Sequence, residues 1–255
     1  MIEILSPTHF PRARAAGALV ADILQTMKSR AKVGTNLLEI DRWTREMIEA
    51  AGAVSCYVDY APSFGDGPFA HYICTSVNDA VLHGKPRNQR LAEGDLVSLD
   101  LAVALDGVVA DSAISFTIGD GAPEDLAMID ATQRALAAGI AAARAGAKVG
   151  DLAHAIGTVL KDAGYPVNLE FGGHGVGSTM HQDPHVPNIG RPGRGYRLRP
   201  GMLLALEPWV MADTDRLVTD PRDGWTLRSA TGARTAHSEH TIAITADGAE
   251  VLTGR

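Results

Sequence analysis

The chain has 255 residues, 45% hydrophobic and 21% charged, a balance that fits an ordinary globular protein of one large or two small domains and excludes a disordered or membrane-spanning class. Its net charge of −7 comes with no long run of Lys or Arg, so neither nucleic acid nor a membrane is an expected partner. Two cysteines, Cys56 and Cys74, without a CxxC spacing make no disulfide framework, and they predict a reducing, cytoplasmic setting.

Residues 1–30 contain a short apolar stretch broken by Arg12, Arg14 and Asp22, read as neither a signal peptide nor a spanning helix. It runs into AKVG at 31–34 and then the amphipathic segment TNLLEIDRWTREMIEAAG. The same tetrapeptide returns at 147–150, again between an Ala-rich stretch and an amphipathic one, DLAHAIGTVLKDAG. Each copy predicts a helix, a break at glycine and a second helix. Leu38, Trp43, Met47 and Ile48 are expected on one face of the first amphipathic helix, and Ile156, Val159 and Leu160 on one face of the other.

Strand-like segments follow each helix pair: DLVSLDLAVALDG and VVADSAISFTIG, then MLLALEPWVM and SEHTIAITADG, all rich in β-branched or alternating residues. The expected fold is α+β, a single domain over 1–255 built from an internal repeat, roughly 10–120 and 125–250. Acids repeat within the strands. Gly94 precedes Asp100 by six positions, as Gly201 precedes Glu207. Asp111 is followed by Ile114 and Thr117, and Glu239 by Ile242 and Thr245 at the same offsets.

Strand acids commonly alternate outward into solvent, but four acids placed by two separate correspondences point to a shared role. If the halves are related by a pseudo-twofold, the carboxylates converge on its axis, where they repel unless cations sit between them. Oxygen ligands suit divalent ions, and an added imidazole shifts the preference toward Mn, Fe, Co or Zn. His174, in FGGHGVG, is the candidate, because the flanking glycines let the backbone bring its ring close to other elements. His83 in AVLHGKP and His181 each read equally as packing or as functional residues. Cys74 and Trp225 read by themselves as a buried thiol and a core or loop ring.

The stretches ICTSVNDAVLHG, SLDLAVALDGVVADSAISF, FGGHGVGSTMH, LALEPWV and AHSEHTIAIT, spread from 73 to 245, resemble the type I methionine aminopeptidases of the pita-bread metallopeptidase family. The resemblance implies two pseudo-twofold halves, with a curved antiparallel sheet covered by two helix pairs. It implies one metal ion on Asp100, Asp111 and Glu239, and a second on Asp111, Glu239, His174 and Glu207. Glu207 would also be the acid/base, His83 and His181 would contact the substrate, and Cys74, Met180 and Trp225 would line a methionine pocket, with Phe64 or Phe69 as further candidates. The expected activity is removal of N-terminal methionine from nascent chains by a monomer, compatible with transient ribosome association. The competing readings are an aminopeptidase of Xaa-Pro type on the same fold and a metal-free binding module. One departure stands out: where the family usually has an aromatic residue, His and Glu, this chain has Met180, His181 and Gln182.

Overall fold

Two helix pairs flank the sheets in the computed structural model, which describes residues 2–63 and 65–254. The first pair is α1 (Phe10–Arg30) and α2 (Leu37–Ala50), the second α3 (Pro123–Ala142) and α4 (Val149–Asp162). Helix α2 starts where it does because Asn36 caps it: its side chain accepts from Leu38 N at 3.0 Å, and Glu39 accepts from Asn36 N at 2.9 Å to close the capping box. The buried stripe of α2 is Leu37, Ile40, Thr44 and Ile48. Leu38, expected on that face, is instead 42% exposed. It lies one residue, about 100° of helix, from the inward-facing Leu37.

The AKVG tetrapeptides are not structural counterparts. Gly34 N bonds Leu91 O (2.8 Å) as Gly146 N bonds Leu198 O (2.9 Å), and Leu37 N bonds Gln89 O as Val149 N bonds Tyr196 O, both at 2.9 Å. Gly34 therefore matches Gly146, both at positive φ (88° and 87°) where a side chain would be strained, while Gly150 lies inside α4. The textual repeat is four residues out of step with the structural one. Counting on from the matched Leu91 and Leu198 reaches Asp100 and Glu207 after nine residues each.

Five strands fill the first half: β1 (Val54–Ser55), β2 (Cys74–Val77), β3 (Ala80–Leu82), β4 (Leu96–Leu105) and β5 (Val108–Thr117). The second half adds β6 (Gly172–Val176), β7 (Gln182–Pro187), β8 (Leu203–Leu206), β9 (Trp209–Met211), β10 (Leu217–Thr219), β11 (Leu227–Ser229), β12 (Thr235–His237), β13 (His240–Ile244) and β14 (Ala249–Val251). All pairings between them are antiparallel. Strand β4 pairs with β1 and β2 along one edge and with β5 along the other, and β14-β13-β8-β6-β7 form the second large sheet. The run MLLALEPWVM is broken into β8 and β9 at Glu207–Pro208, where proline has no N–H to give a ladder. Among the described residues, no helix is long and apolar enough to cross a membrane.

Helix α1 packs on β4 and β5 through Val20, Ile23, Leu24 and Met27, and the second pair covers β8 and β13 through Leu136 and Leu152. Between these layers lies a third cluster, which includes Tyr57, Phe69, Cys74, Met180 and Trp225. Trp225 is presented by a loop whose buried anchor is Asp220. Its carboxylate accepts from Arg222 (Nη2, 2.6 Å) and Arg228 (Nε, 2.7 Å). Arg222 foremost, with Arg228, holds the Asp220 carboxyl well below the usual range. Replacing Asp220 with Ala should therefore destabilise the fold by about 3 kcal/mol, the low end for a broken buried ion pair because Arg228 keeps Asp79. Urea unfolding measures this; a loss near zero would show the network to be mere surface decoration.

Candidate metal centre

Sheet register brings the four carboxylates together. On β4 and β5, Asp100 lies opposite Ala113 and Asp111 opposite Ala102. The two acids are thus diagonal neighbours on one face, since side chains two residues apart along a strand share a face. In the second half, His240 pairs with Leu206 and His237 with Trp209. That common register sets Glu239 directly opposite Glu207. The halves thus converge on similar acids through pairings that differ by two residues.

Side-chain and backbone bonds stitch β5 to the start of β13. Thr241 Oγ1 accepts from Asp111 N (2.8 Å) and donates to Asp111 O (2.7 Å). Ser112 Oγ donates to Glu239 O (2.6 Å), and Glu239 N donates to Ala113 O (2.9 Å). Asp111 and Glu239 are consequently held side by side where the two sheets meet. His174, on β6 opposite Ala205 of β8, completes a group whose candidate ligand atoms all lie within 4.8 Å of one another: Asp111, His174 and Glu239.

Asp100 and Glu207 line the same cavity but fall outside that tight triad. Tyr57 donates to Asp100 Oδ1 at 2.6 Å. Glu207 Oε1 is 3.6 Å from His174 Nε2, and Asp111 Oδ2 is 3.8 Å from it. His174 Nδ1 lies 3.0 Å from Gly175 O; a proton donated there leaves the Nε2 lone pair facing the two acids.

Burial raises the pKa of all four carboxyls. Asp100 is pushed up to about 6, and Asp111, Glu207 and Glu239 are raised well above the ordinary carboxylate range, by burial first and by neighbouring acids second. Burial depresses the imidazoles: His83 to about 4 and His174 to about 3, with His181 as the second cause in both, and His181 itself is lowered. The cavity, about 320 Å³, has no Lys or Arg among its described lining residues. Asp111 Oδ1 is buried and has no hydrogen-bond partner. A hard-oxygen donor set with one imidazole and an unsatisfied carboxylate oxygen fits divalent cations.

The remaining candidates from the sequence lie on the same cavity. Cys74, Met180 and Trp225 line it with Tyr57, Tyr60 and Phe69. Phe69 meets Trp225 edge-on at 5.2 Å and Tyr57 at 5.6 Å. Phe64 lies outside the described residues. His83 follows β3 at φ 56°, a left-handed conformation that costs a non-glycine residue about 1–3 kcal/mol, and its ring stands edge-on to Phe171 and Trp225. His181 stacks edge-on to His174 at 4.4 Å, with its Nδ1 2.9 Å from the Tyr60 hydroxyl.

Sequence reasoning missed Tyr57, Tyr60, Glu170, Phe171 and His185, which all line the cavity, and also His237. Tyr57 and Tyr60 occupy an irregular loop with no periodicity to flag them. His237 did carry a signal, because it stands two residues before Glu239 and so shares its face. Its Nε2 is buried, without a hydrogen-bond partner, 3.9 Å from Glu239 Oε2.

Residues 11–246 match the model of metallopeptidase family M24. The chain is 38% identical over 257 residues to methionine aminopeptidase from Aquifex aeolicus, covering 99% of this chain and 98% of the relative. It is 41% identical over 246 residues to methionine aminopeptidase 1 from Mycobacterium tuberculosis, covering 94% and 90%. The crystal structure of methionine aminopeptidase from Thermotoga maritima superposes with a TM-score of 0.94 at 33% identity, covering 100% of both chains. A prolidase from Pyrococcus furiosus matches at a TM-score of 0.76 and 18% identity, covering 99% of this chain and 65% of the other, a likeness of fold alone. These neighbours carry the expected pita-bread architecture.

Because these carboxyls have pKa values raised on folding, their ionisation penalises the folded chain increasingly as pH climbs from the ordinary carboxylate range through about 6 and beyond. Asp111→Asn should therefore raise the Tm of the chelator-treated protein at pH 8, and the gain should shrink at pH 5. One pKa unit is about 1.4 kcal/mol, or about 3–6 °C at this chain length. Thermal unfolding in chelator checks it, and a lower Tm for the variant at pH 8 would contradict the repulsion.

Proposed function

The chain belongs to metallopeptidase family M24, and from that premise we propose that it removes N-terminal methionine from peptides, using two divalent ions. The observation that carries this reading is one cavity in which four carboxylates, Asp111 and Glu239 buried and Asp100 and Glu207 half-buried, and His174, with no Lys or Arg among the described lining residues, adjoin an apolar slot of Tyr57, Phe69, Cys74, Met180 and Trp225. Asp100, Asp111 and Glu239 would hold one ion; Asp111, Glu239, His174 and Glu207 would hold the other. Asp111 and Glu239 suit the shared positions because they sit side by side at the seam between the sheets. Such a pair of ions, when bound, supplies a water of lowered pKa and polarises the scissile carbonyl.

The chain's own groups do the rest. Glu207, with a carboxyl held high by burial and neighbouring acids, takes a proton from the attacking water and returns it to the leaving amine. The Tyr60 hydroxyl, donating to His181 Nδ1, keeps the proton of the neutral ring on Nε2, where it can be donated to the carbonyl oxygen as charge develops. His83, neutral through burial, offers its ring to the scissile amide. The slot accepts a thioether because its walls are aromatic rings, a thiol and a second thioether, surfaces on which sulfur packs well. Met180 in place of an aromatic ring makes one wall flexible, so that the pocket accepts some variation in the first side chain.

Nascent chains in the cytoplasm, met through brief contact with the ribosome by a monomeric enzyme, are the natural source of such N-termini, and the two unpaired thiols suit that compartment. The metal is one of Mn, Co, Fe or Zn. Chelated protein reloaded with each ion in turn should cleave Met-Ala-Ser and leave Xaa-Pro peptides intact. Turnover of Xaa-Pro alone would move the chain to the prolidase side of the fold, and no turnover with any ion would end the enzyme reading.

His181→Ala should lower kcat by about 100- to 1000-fold, the loss of one donor to a developing oxyanion. His83→Ala should likewise lose most of its kcat, and both variants should still bind two ions by titration calorimetry. Loss of an ion from either variant would reassign that histidine as a ligand.

A further inference from the structure

The turn that carries His181 is tied down from outside the cavity. After β6 the chain runs through Gly177, Ser178 and Thr179, then sets Met180 into the pocket wall and His181 against His174 and Tyr60. On the outer side of this turn a single oxygen, Glu3 Oε2, accepts three hydrogen bonds: from Ser178 N at 2.8 Å, Ser178 Oγ at 2.8 Å and Gln182 Nε2 at 2.9 Å. Gln182 Nε2 also reaches Thr179 Oγ1 at 3.1 Å. A Cβ on Gly177 would stand 2.5 Å from Glu3 Oε2, so the carboxylate is seated against the bare backbone. Glu3 is itself anchored, because Leu5 N donates to Gly201 O at 2.8 Å and the buried Leu5 joins the apolar cluster of Val176, Met180 and Trp225.

Gln182 is also where this chain departs from the Glu that usually follows the second histidine of the family. Glutamine and glutamate have the same shape, but only glutamine can donate to Glu3. A carboxylate at 182 in the same place would confront that of Glu3 across the present 2.9 Å, a like-charge contact that disfavours the bound arrangement. The acid at position 3 and the amide at position 182 are thus a matched pair.

We propose, on the peptidase reading above, that Glu3 is a positioning residue for His181. Through Ser178 and Gln182 it grips the turn before Met180 and after His181, and so fixes where His181 Nε2 meets the scissile carbonyl. The N-terminal segment, far from the reacting atoms in sequence, is then part of the catalytic frame.

The test is a double-mutant cycle on the full-length, metal-loaded enzyme with Met-Ala-Ser. Gln182→Glu, although it installs the family's usual residue, should lower kcat by about ten- to a hundredfold, the scale of a catalytic group displaced by about 1 Å. KM and the two-ion uptake seen by calorimetry should change little. Adding Glu3→Gln to that variant should restore kcat to within about threefold of the parent: the new amide donates to the carboxylate at 182, and its oxygen still accepts from Ser178. Glu3→Gln alone completes the cycle, and thermal unfolding of all three variants checks that each is folded. An unchanged kcat in Gln182→Glu, or a double variant no better than the single one, overturns the proposal.

Amide exchange at Ser178 reads the clamp without any turnover. Glu3→Ala should speed it by about tenfold or more while amides of β8 stay protected, and equal exchange overturns the clamp. A parent enzyme inactive on every peptide would instead defeat the peptidase reading, with the exchange result still standing.

Discussion

Four carboxylates gathered in one cavity, two of them fully buried, without a Lys or Arg among its described lining residues, is the condition on which the rest of this structure turns. Like charges at such separations in a medium poorer than water repel strongly. A flexible frame would relieve that repulsion by turning the acids outward. Here it cannot, because each acid is fixed by register: Asp100 and Asp111 by the ten-residue pairing of β4 with β5, Glu207 and Glu239 by the common register on both sides of them. The hydrogen bonds of Thr241 and Ser112 then lock the two pairs together. Sheet strength is converted into electrostatic strain that a cation relieves.

The same rigidity explains why the two halves need not be alike in detail. Diagonal acids in one and opposed acids in the other leave different gaps, and His174 stands against Asp111 and Glu207 but has no imidazole counterpart beside Asp100. There Tyr57 donates a hydroxyl to Asp100 instead. One side of the site is finished with an imidazole, and the other with a hydrogen-bond donor that also forms the cavity wall. The ring of Tyr57 therefore joins the acid cluster to the apolar slot, which makes the two one mechanical unit.

Much of this was legible in the chain because β-strands transmit pattern to geometry with a period of two. The four acids could be found from their offsets to glycine, isoleucine and threonine, and His174 from its glycines. Counting on from the glycines also gave the equivalence of Asp100 and Glu207, which the backbone bonds of Leu91 and Leu198 reproduce. The tetrapeptide AKVG misled by four residues, because identity of letters carries no information on which glycine takes the positive φ. Leu38 misled because a helix stripe can be read one residue out when its buried member is Thr44. Tyr57, Tyr60 and Phe171 were invisible, since loops place side chains by tertiary packing and leave no period behind. The partnership of Glu3 with Gln182 was beyond reach for the same reason: 179 residues separate them, and only the fold makes them neighbours.

Desolvation acts on this site in one direction for acids and in the other for imidazoles, raising Asp100, Asp111, Glu207 and Glu239 while depressing His83, His174, His181 and His237. For both kinds of group burial favours the neutral form. Burial favours the neutral histidine, the state a metal ligand or a carbonyl donor requires. Raised carboxyls are in the opposite position, because a ligand oxygen must give up its proton before it can bind a cation. Burial thus prepares the histidines in advance and leaves the carboxylates to be set by the ion itself, with protons released as the charge arrives. A cation favours the fully anionic form of the cluster, and that is how so much negative charge can be built into the centre of a stable fold.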